Sequence, residues 1–172
     1  PIDYHQTIAN NPITQLQAKL DNGETTLKYS DPHGYLPGLM QLLEVSPATQ
    51  ALVYSKSSLQ LRRINPTTPR ALYFNDQIYL GWAAGGDVVE IIATDPQLGS
   101  VFYTLPQRLT DSPKFIRDKG QCLQCNAARR TQNVPGPVVR SLFTSHNGQP
   151  VYNFGTYVSD HTSPFSQRWG GY

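Results

Sequence analysis

Ala71-Leu72-Tyr73-Phe74-Asn75-Asp76-Gln77-Ile78-Tyr79-Leu80-Gly81-Trp82 reads as two strands joined by a tight turn. Aromatic and branched residues fill both arms, and Asn75-Asp76 supplies turn chemistry at hairpin spacing. The pattern continues downstream through Val88–Thr94 and Val101–Leu105, separated by Gly85-Gly86-Asp87 and by Asp95-Pro96 with Gly99. Upstream, Ala51-Leu52-Val53-Tyr54 and Leu59-Gln60-Leu61 fit two further strands. A parallel pair needs a crossover of a dozen or more residues, so these short connections predict an antiparallel meander. At such alternating positions Trp82, Tyr79 and Phe102 are read as sheet core in preference to a cofactor lining.

On the N-terminal side the period changes. Asn11 is placed to cap a helix that begins at Pro12, carries Leu16, Ala18 and Leu20, and stops at Asn22-Gly23. A second helix is expected from about Gly38 to Glu44, after the turn-rich run Ser30-Asp31-Pro32-His33-Gly34. From Thr110 to Pro137 the regular pattern disappears. A last hairpin is expected from Val138–Thr144 and Val151–Val158, turning at Asn147-Gly148. The sequence thus predicts one α+β domain over 1–172. A helical segment (1–46) leads into an antiparallel sheet meander (50–109), an irregular cysteine-containing loop (110–137), and a terminal hairpin and tail (138–172). Trp169 and Tyr172 are large apolar groups that need cover, so the tail is read as truncated.

At 172 residues the chain can bury one sizeable core. Charged residues make up 15%, against roughly 25% in ordinary soluble domains. Gln, Asn, Ser and Thr must carry the surface, a style common among exported proteins. The net charge of +2 and the isolated pairs Arg62-Arg63 and Arg129-Arg130 make no basic stripe, which argues against nucleic acid. No apolar run reaches the ~20 residues of a membrane span. Export to the periplasm or the exterior would require a leader outside this sequence.

Cys122-Leu123-Gln124-Cys125-Asn126 is the one motif with specific chemistry. A C-x-x-C pair can anchor haem, form half a zinc site, cycle as a redox disulfide or pin a loop. Zinc wants four ligands, and His5, His33, His146 and His161 show no second half-site spacing. A thioredoxin-like reading needs a βαβ setting that the antiparallel pattern does not offer. Haem c attachment calls for an imidazole directly after the second cysteine, where Asn126 stands, and an amide is a poor iron ligand. On the residues alone a structural disulfide in an oxidising compartment leads. Neither a Ser-His-Asp elbow, a phosphate loop nor a metalloprotease helix is recognisable.

Several runs taken together go further. These are His33-Gly34-Tyr35-Leu36, Ser55–Ile64, Pro69–Asn75, Tyr79-Leu80-Gly81-Trp82, Asp95–Leu105, Cys122-Leu123-Gln124-Cys125, Val134-Pro135-Gly136, Val139-Arg140-Ser141 and Arg168-Trp169-Gly170-Gly171. In them the chain resembles a largely uncharacterised group of bacterial proteins, expected to be exported, that carry a single C-x-x-C-H haem c motif. The resemblance covers most of the chain from Asp31 onward. It implies a cytochrome c-like domain for electron transfer, or for sensing redox state or a small ligand, with a redox protein as partner. Cys122 and Cys125 would be the thioether anchors of haem c.

The pattern departs at two places. Asn126 replaces the proximal histidine, and Pro135-Gly136-Pro137 stands where the group carries Pro-Gly-His. Attachment machinery reads the full C-x-x-C-H, so the resemblance itself implies impaired loading. Three accounts follow. The domain has lost haem and keeps a Cys122–Cys125 disulfide, it keeps haem with iron bound by His33, His161 or Met40, or the substitution was introduced to abolish ligation. Against that, the leading reading of His33 and of His161 is an exposed turn residue or a satisfied hydrogen-bonder. Arg129, Arg130 and Arg140 suit haem propionates, because a guanidinium matches a carboxylate in a bidentate fork, or else plain surface charge. By fold analogy alone, a sheet flanked by helices and followed by such a loop is similar to a PAS-like sensor.

Overall fold

A computed structural model describes residues 2–170. Six strands form one sheet in strict sequence order and wholly antiparallel: β1 (Ala51–Val53), β2 (Arg70–Phe74), β3 (Ile78–Trp82), β4 (Val88–Asp95), β5 (Gly99–Pro106) and β6 (Ile116–Arg117). The α+β meander expected from the turns is therefore present. The β4–β5 corner is built by Asp95, whose buried carboxylate accepts the amides of Gln97 and Leu98, each at 3.0 Å.

The register sorts the two faces. Ile78 and Leu80 of β3 pair with Ala93 and Ile91 of β4, which pair in turn with Val101 and Tyr103 of β5. All six are buried. Alternation turns them to one side of the sheet, where both helices pack. The opposite face carries Leu72, Phe74, Tyr79, Glu90, Ile92 and Phe102. Of these Phe102 is buried, whereas Tyr79 and Ile92 stay half-buried.

Helix α1 (Pro12–Asp21) starts where the sequence places it. Asn11 Oδ1 accepts from the amides of Ile13 and Thr14, the Thr14 hydroxyl oxygen accepts from the Asn11 amide, and Pro12 fills the first helical position. Asn11 does more than cap. Its Nδ2 donates to the Tyr103 hydroxyl at 3.0 Å and to Asp95 at 3.3 Å, which fastens the helix to the β4–β5 hairpin. Helix α2 (Leu36–Leu42) begins two residues earlier than expected and ends sooner. Pro37 suits a first turn, and Glu44 leaves the helix with a φ of 54°. Gly38 is required where α2 crosses the preceding segment, since a Cβ there would lie 2.6 Å from the Lys28 carbonyl oxygen.

Three expectations are corrected. Leu59-Gln60-Leu61 is not a strand. The chain turns through a short 3-10 piece at Leu61–Arg63, both leucines are exposed, and Gln60 is buried. The Gln60 amide explains this. Its Nε2 donates to the Val88 carbonyl at 3.0 Å and its Oε1 accepts the Val88 amide at 3.3 Å, which mimics a strand partner for β4. The terminal hairpin is also shorter, with β7 (Val139–Leu142) pairing β8 (Thr156–Ser159). Pro150 offers no amide, so pairing lapses after the isolated Thr144–Pro150 bridge. A 3-10 turn at Tyr152–Phe154 intervenes before pairing resumes. The loop 110–137 is not devoid of regular structure, because it contains β6 and the one-turn helix α3 (Leu123–Asn126).

Trp169 lies against the hairpin, with ring centroids 5.1 Å from Phe143 and 5.3 Å from Tyr157, and remains exposed. Tyr172 lies outside the described residues.

Candidate functional site

The cysteine turn hangs from the β5 edge. After β6 the Asp118 amide donates to the Phe102 carbonyl at 2.8 Å, and the Asp118 carboxylate accepts the amides of Gly120 (2.8 Å) and Cys122 (3.1 Å). A carboxylate holding the amides of Gly120 and Cys122 fixes where Cys122 starts α3. The N-terminal segment clamps the same edge. Arg117 lies 4.6 Å over the Tyr4 ring and donates to the carbonyls of Thr7 and Tyr4, while the Tyr4 hydroxyl accepts the Phe102 amide. Burial pushes the Tyr4 hydroxyl pKa upward, against the opposing pull of its hydrogen bonds and of Arg117.

Cys122 and Cys125 are separate thiols in this structure. Cys122 is half-buried against the core together with Leu123, whereas Cys125 is exposed. Burial pushes the Cys122 thiol up to about 12, and the carboxylates of Asp118 and Glu90 and the Cys125 sulfur act in the same direction. A thiol in that setting holds its proton at neutral pH and is a poor nucleophile.

Asn126 occupies the position of the expected haem-ligating histidine, and its side chain is fully engaged. Nδ2 donates to the Cys122 carbonyl at 2.8 Å, and Oδ1 accepts the Val138 amide at 3.2 Å. Its own carbonyl accepts the Gly136 amide at 2.9 Å. Through these bonds Asn126 ties Gly136 and Val138, on either side of Pro137, to the cysteine turn. The Pro135 carbonyl in turn accepts the Ser100 amide at 2.7 Å, directly beside Gly99.

The remaining sequence candidates are scattered. His33 is exposed, with its ring 5.3 Å from that of Trp82. Trp82 shares the face of Ile78 and Leu80, so His33 sits beside the face on which the helices pack. Met40 is buried in the core beside Leu36 and Leu39. His161 is exposed in a turn organised by Asp160, and its carbonyl accepts from Arg168 at 3.0 Å. Arg129 is exposed, the side chain of Arg130 lies outside the described residues, and Arg140 is half-buried on β7.

Two hollows stand out. One of about 450 Å3 lies between α1, the end of α2 and the β2–β3 turn, lined by Lys19, Glu24, Glu44 and Asn75 among others. The other, of about 270 Å3, is lined by Arg140, Thr156, Tyr157 and Val158. Neither reaches Cys122 or Cys125. Haem c needs a porphyrin-sized apolar hollow at the two sulfurs and an iron ligand beside it. Among the described residues, no group of three His, Cys, Asp or Glu could hold a metal ion. Among them, too, no helix is long and apolar enough to cross a membrane.

Sequence reasoning missed three contributors. Asp118 lies in a run without periodicity, Thr156 is one threonine among many, and Glu90 is drawn in by Arg70, 2.7 Å away, and by Ser58. None carries a local signature. The class defined by fold and site is an α+β domain with a six-stranded antiparallel meander and a C-x-x-C turn on its edge. No known protein family, curated protein or solved structure matches the chain. The likeness to single-haem exported proteins therefore rests on the residues quoted for it.

Proposed function

We propose that this chain is a haem-free binding module of an oxidising compartment, in which Cys122 and Cys125 form a structural disulfide. The observation that carries the reading is the Asn126 side chain. Both of its polar atoms are spent on Cys122 and Val138, so the position from which a histidine would reach iron serves to pin the loop. Disulfide formation removes two protons and two electrons from the thiols, and a disulfide-exchange oxidant takes up the electrons as it becomes a dithiol. Attack begins at the exposed Cys125 sulfur, because Cys122 keeps its proton. The closed pair would lock α3 against β5 and steady the surface beside Phe102. By analogy of fold alone, this suits a PAS-like sensory role with a protein partner.

The absorption spectrum of the protein, produced in cells that carry haem-attachment machinery, tests the reading. The expected spectrum lacks a Soret band after acid-acetone extraction. A band that survives extraction favours the cytochrome c-like alternative, with electron transfer or redox sensing as its role.

A further inference from the structure

The outward face of the β7–β8 hairpin carries aromatic rings where an antiparallel pair ordinarily turns polar groups to water. Val139 pairs with Ser159 and Ser141 with Tyr157, so alternation places Val139 and Tyr157 on the side opposite the buried Leu142. Trp169 joins this face. Its ring meets that of Tyr157 edge-on at 86° and stacks on that of Phe143 at 23°, while Phe154 stands edge-on to Phe143 at 6.2 Å. Hydrogen bonds hold the tail in place. The Leu142 amide donates to the Gly170 carbonyl at 2.9 Å, and the Gly170 amide donates to Ser141 Oγ at 3.3 Å. The rings are thus ordered before any partner arrives, which lowers the entropic cost of binding.

Charge and size narrow the occupant. The four rings and Val139 are uncharged, and the tail's own charges are engaged locally. Asp160 accepts the Thr162 amide and hydroxyl, and Arg168 donates to the carbonyls of Ser163 and His161. A neutral partner is the complement. Phe154 is 72% exposed, Phe143 45%, Tyr157 42% and Trp169 37%. With about 200 Å2 to each such residue, about 400 Å2 of aromatic surface faces water, half of the roughly 800 Å2 per partner in a standard interface. The patch is therefore small for a stable dimer and suits a slender ligand. Its rings also end in donors, the Trp169 indole N–H and the Tyr157 hydroxyl. A polyproline II segment presents the matching chemistry, because its pyrrolidine rings are apolar and uncharged and its carbonyls have no internal hydrogen bonds. Aromatic surfaces recognise such preformed segments at low entropic cost.

We propose that the outward face of the β7–β8 hairpin, extended by Trp169 and Phe154, docks a proline-rich polypeptide segment in the polyproline II conformation. Pyrrolidine rings lie on the aromatic surface, and segment carbonyls accept from Trp169 and Tyr157. This gives the haem-free binding module a partner class and rests on that reading. The two fail separately, because haem content is read from the spectrum and docking from a titration.

The test is a titration of the full chain with a capped proline decapeptide, followed by NMR of the amides and the two indole N–H groups. A glycine-serine decapeptide and cellohexaose run as parallel series. The proposal expects saturable shifts at the Trp169 indole and around residues 139–143 and 154–157, with the Trp82 indole unmoved. Trp169→Ala weakens the proline peptide by about tenfold to thirtyfold, as for a tryptophan anchor. Phe154→Ala, which removes the most exposed of the four rings, weakens it by about three- to tenfold and decides the matter if Trp169→Ala disturbs the tail. Absence of saturable shifts, undiminished binding in Phe154→Ala, or equal or tighter binding of the glycine-serine peptide or of cellohexaose would each overturn the proposal.

Discussion

Asn126 donates from Nδ2 to the Cys122 carbonyl at 2.8 Å while its Oδ1 accepts the Val138 amide at 3.2 Å, so one side chain closes the cysteine turn and anchors the strand that follows it. Asn126→Ala leaves a carbonyl and an amide without these partners. The expected cost is about 1–3 kcal/mol of unfolding free energy, the range for stranded, part-buried backbone groups. Urea denaturation under reducing conditions measures it, and an unchanged midpoint would show that the amide anchors nothing.

The two thiols differ in burial and therefore in reactivity. In the reduced chain, iodoacetamide at pH 8 should label Cys125 at least about a hundredfold faster than Cys122, since a thiol held near 12 presents very little thiolate. Mass mapping over time reads both rates. Denaturant should abolish the difference, and equal rates in the folded protein would contradict the placement of Cys122 against the core.

The same burial makes stability depend on pH. Folding raises the Cys122 pKa from about 9 to about 12, so between those values the unfolded chain has released a proton that the folded chain retains. The unfolded state then binds fewer protons, and stability falls as pH rises, by at most about 1.4 kcal/mol per pH unit and by less where solvent reaches the sulfur. Tyr4 and Tyr103, raised chiefly by burial, add the same trend above pH 10. The difference between the reduced chain and Cys122→Ala over pH 8.5–10 therefore isolates the thiol. Parallel curves would contradict it.

Asn11 joins α1 to the sheet by four side-chain hydrogen bonds, to Ile13, Thr14, Tyr103 and Asp95. Asn11→Ala removes the helix cap and strands buried partners at once, for an expected loss of about 2–4 kcal/mol. Asn11→Ser keeps a capping oxygen but cannot reach Tyr103, and it should fall between the two. Thermal or urea unfolding orders the three proteins, and a serine variant no better than alanine would remove the cap from the account.

These contributions differ in how far the sequence announces them. The meander was legible because Asn75-Asp76, Gly85-Gly86-Asp87 and Asp95-Pro96 are local turn signals between strongly apolar arms. Asn11-Pro12 was legible for the same reason, since a cap acts on the residues next to it. The failures are non-local. Leu59-Gln60-Leu61 alternates like a strand, but Gln60 is claimed by Val88, 28 residues away. Pro150 interrupts a hairpin whose two arms both look extended, and β6 is too short for periodicity to register. At the site, adjacency in sequence correctly grouped Cys122, Cys125 and Asn126. Chemistry alone nominated His33, Met40 and His161, and the fold distributes them to a turn against Trp82, the helical core and the terminal turn. Arg140 was chosen for its charge, whereas its place opposite Val158 appears only once β7 and β8 pair.

The central claim, a haem-free chain whose cysteines close on each other, is tested most directly by the intact mass of the protein recovered from an oxidising compartment without added reductant. The account predicts the mass of the polypeptide less two hydrogens, returning to the full value on reduction. A mass increased by that of one haem, resistant to denaturant and reductant, would contradict it.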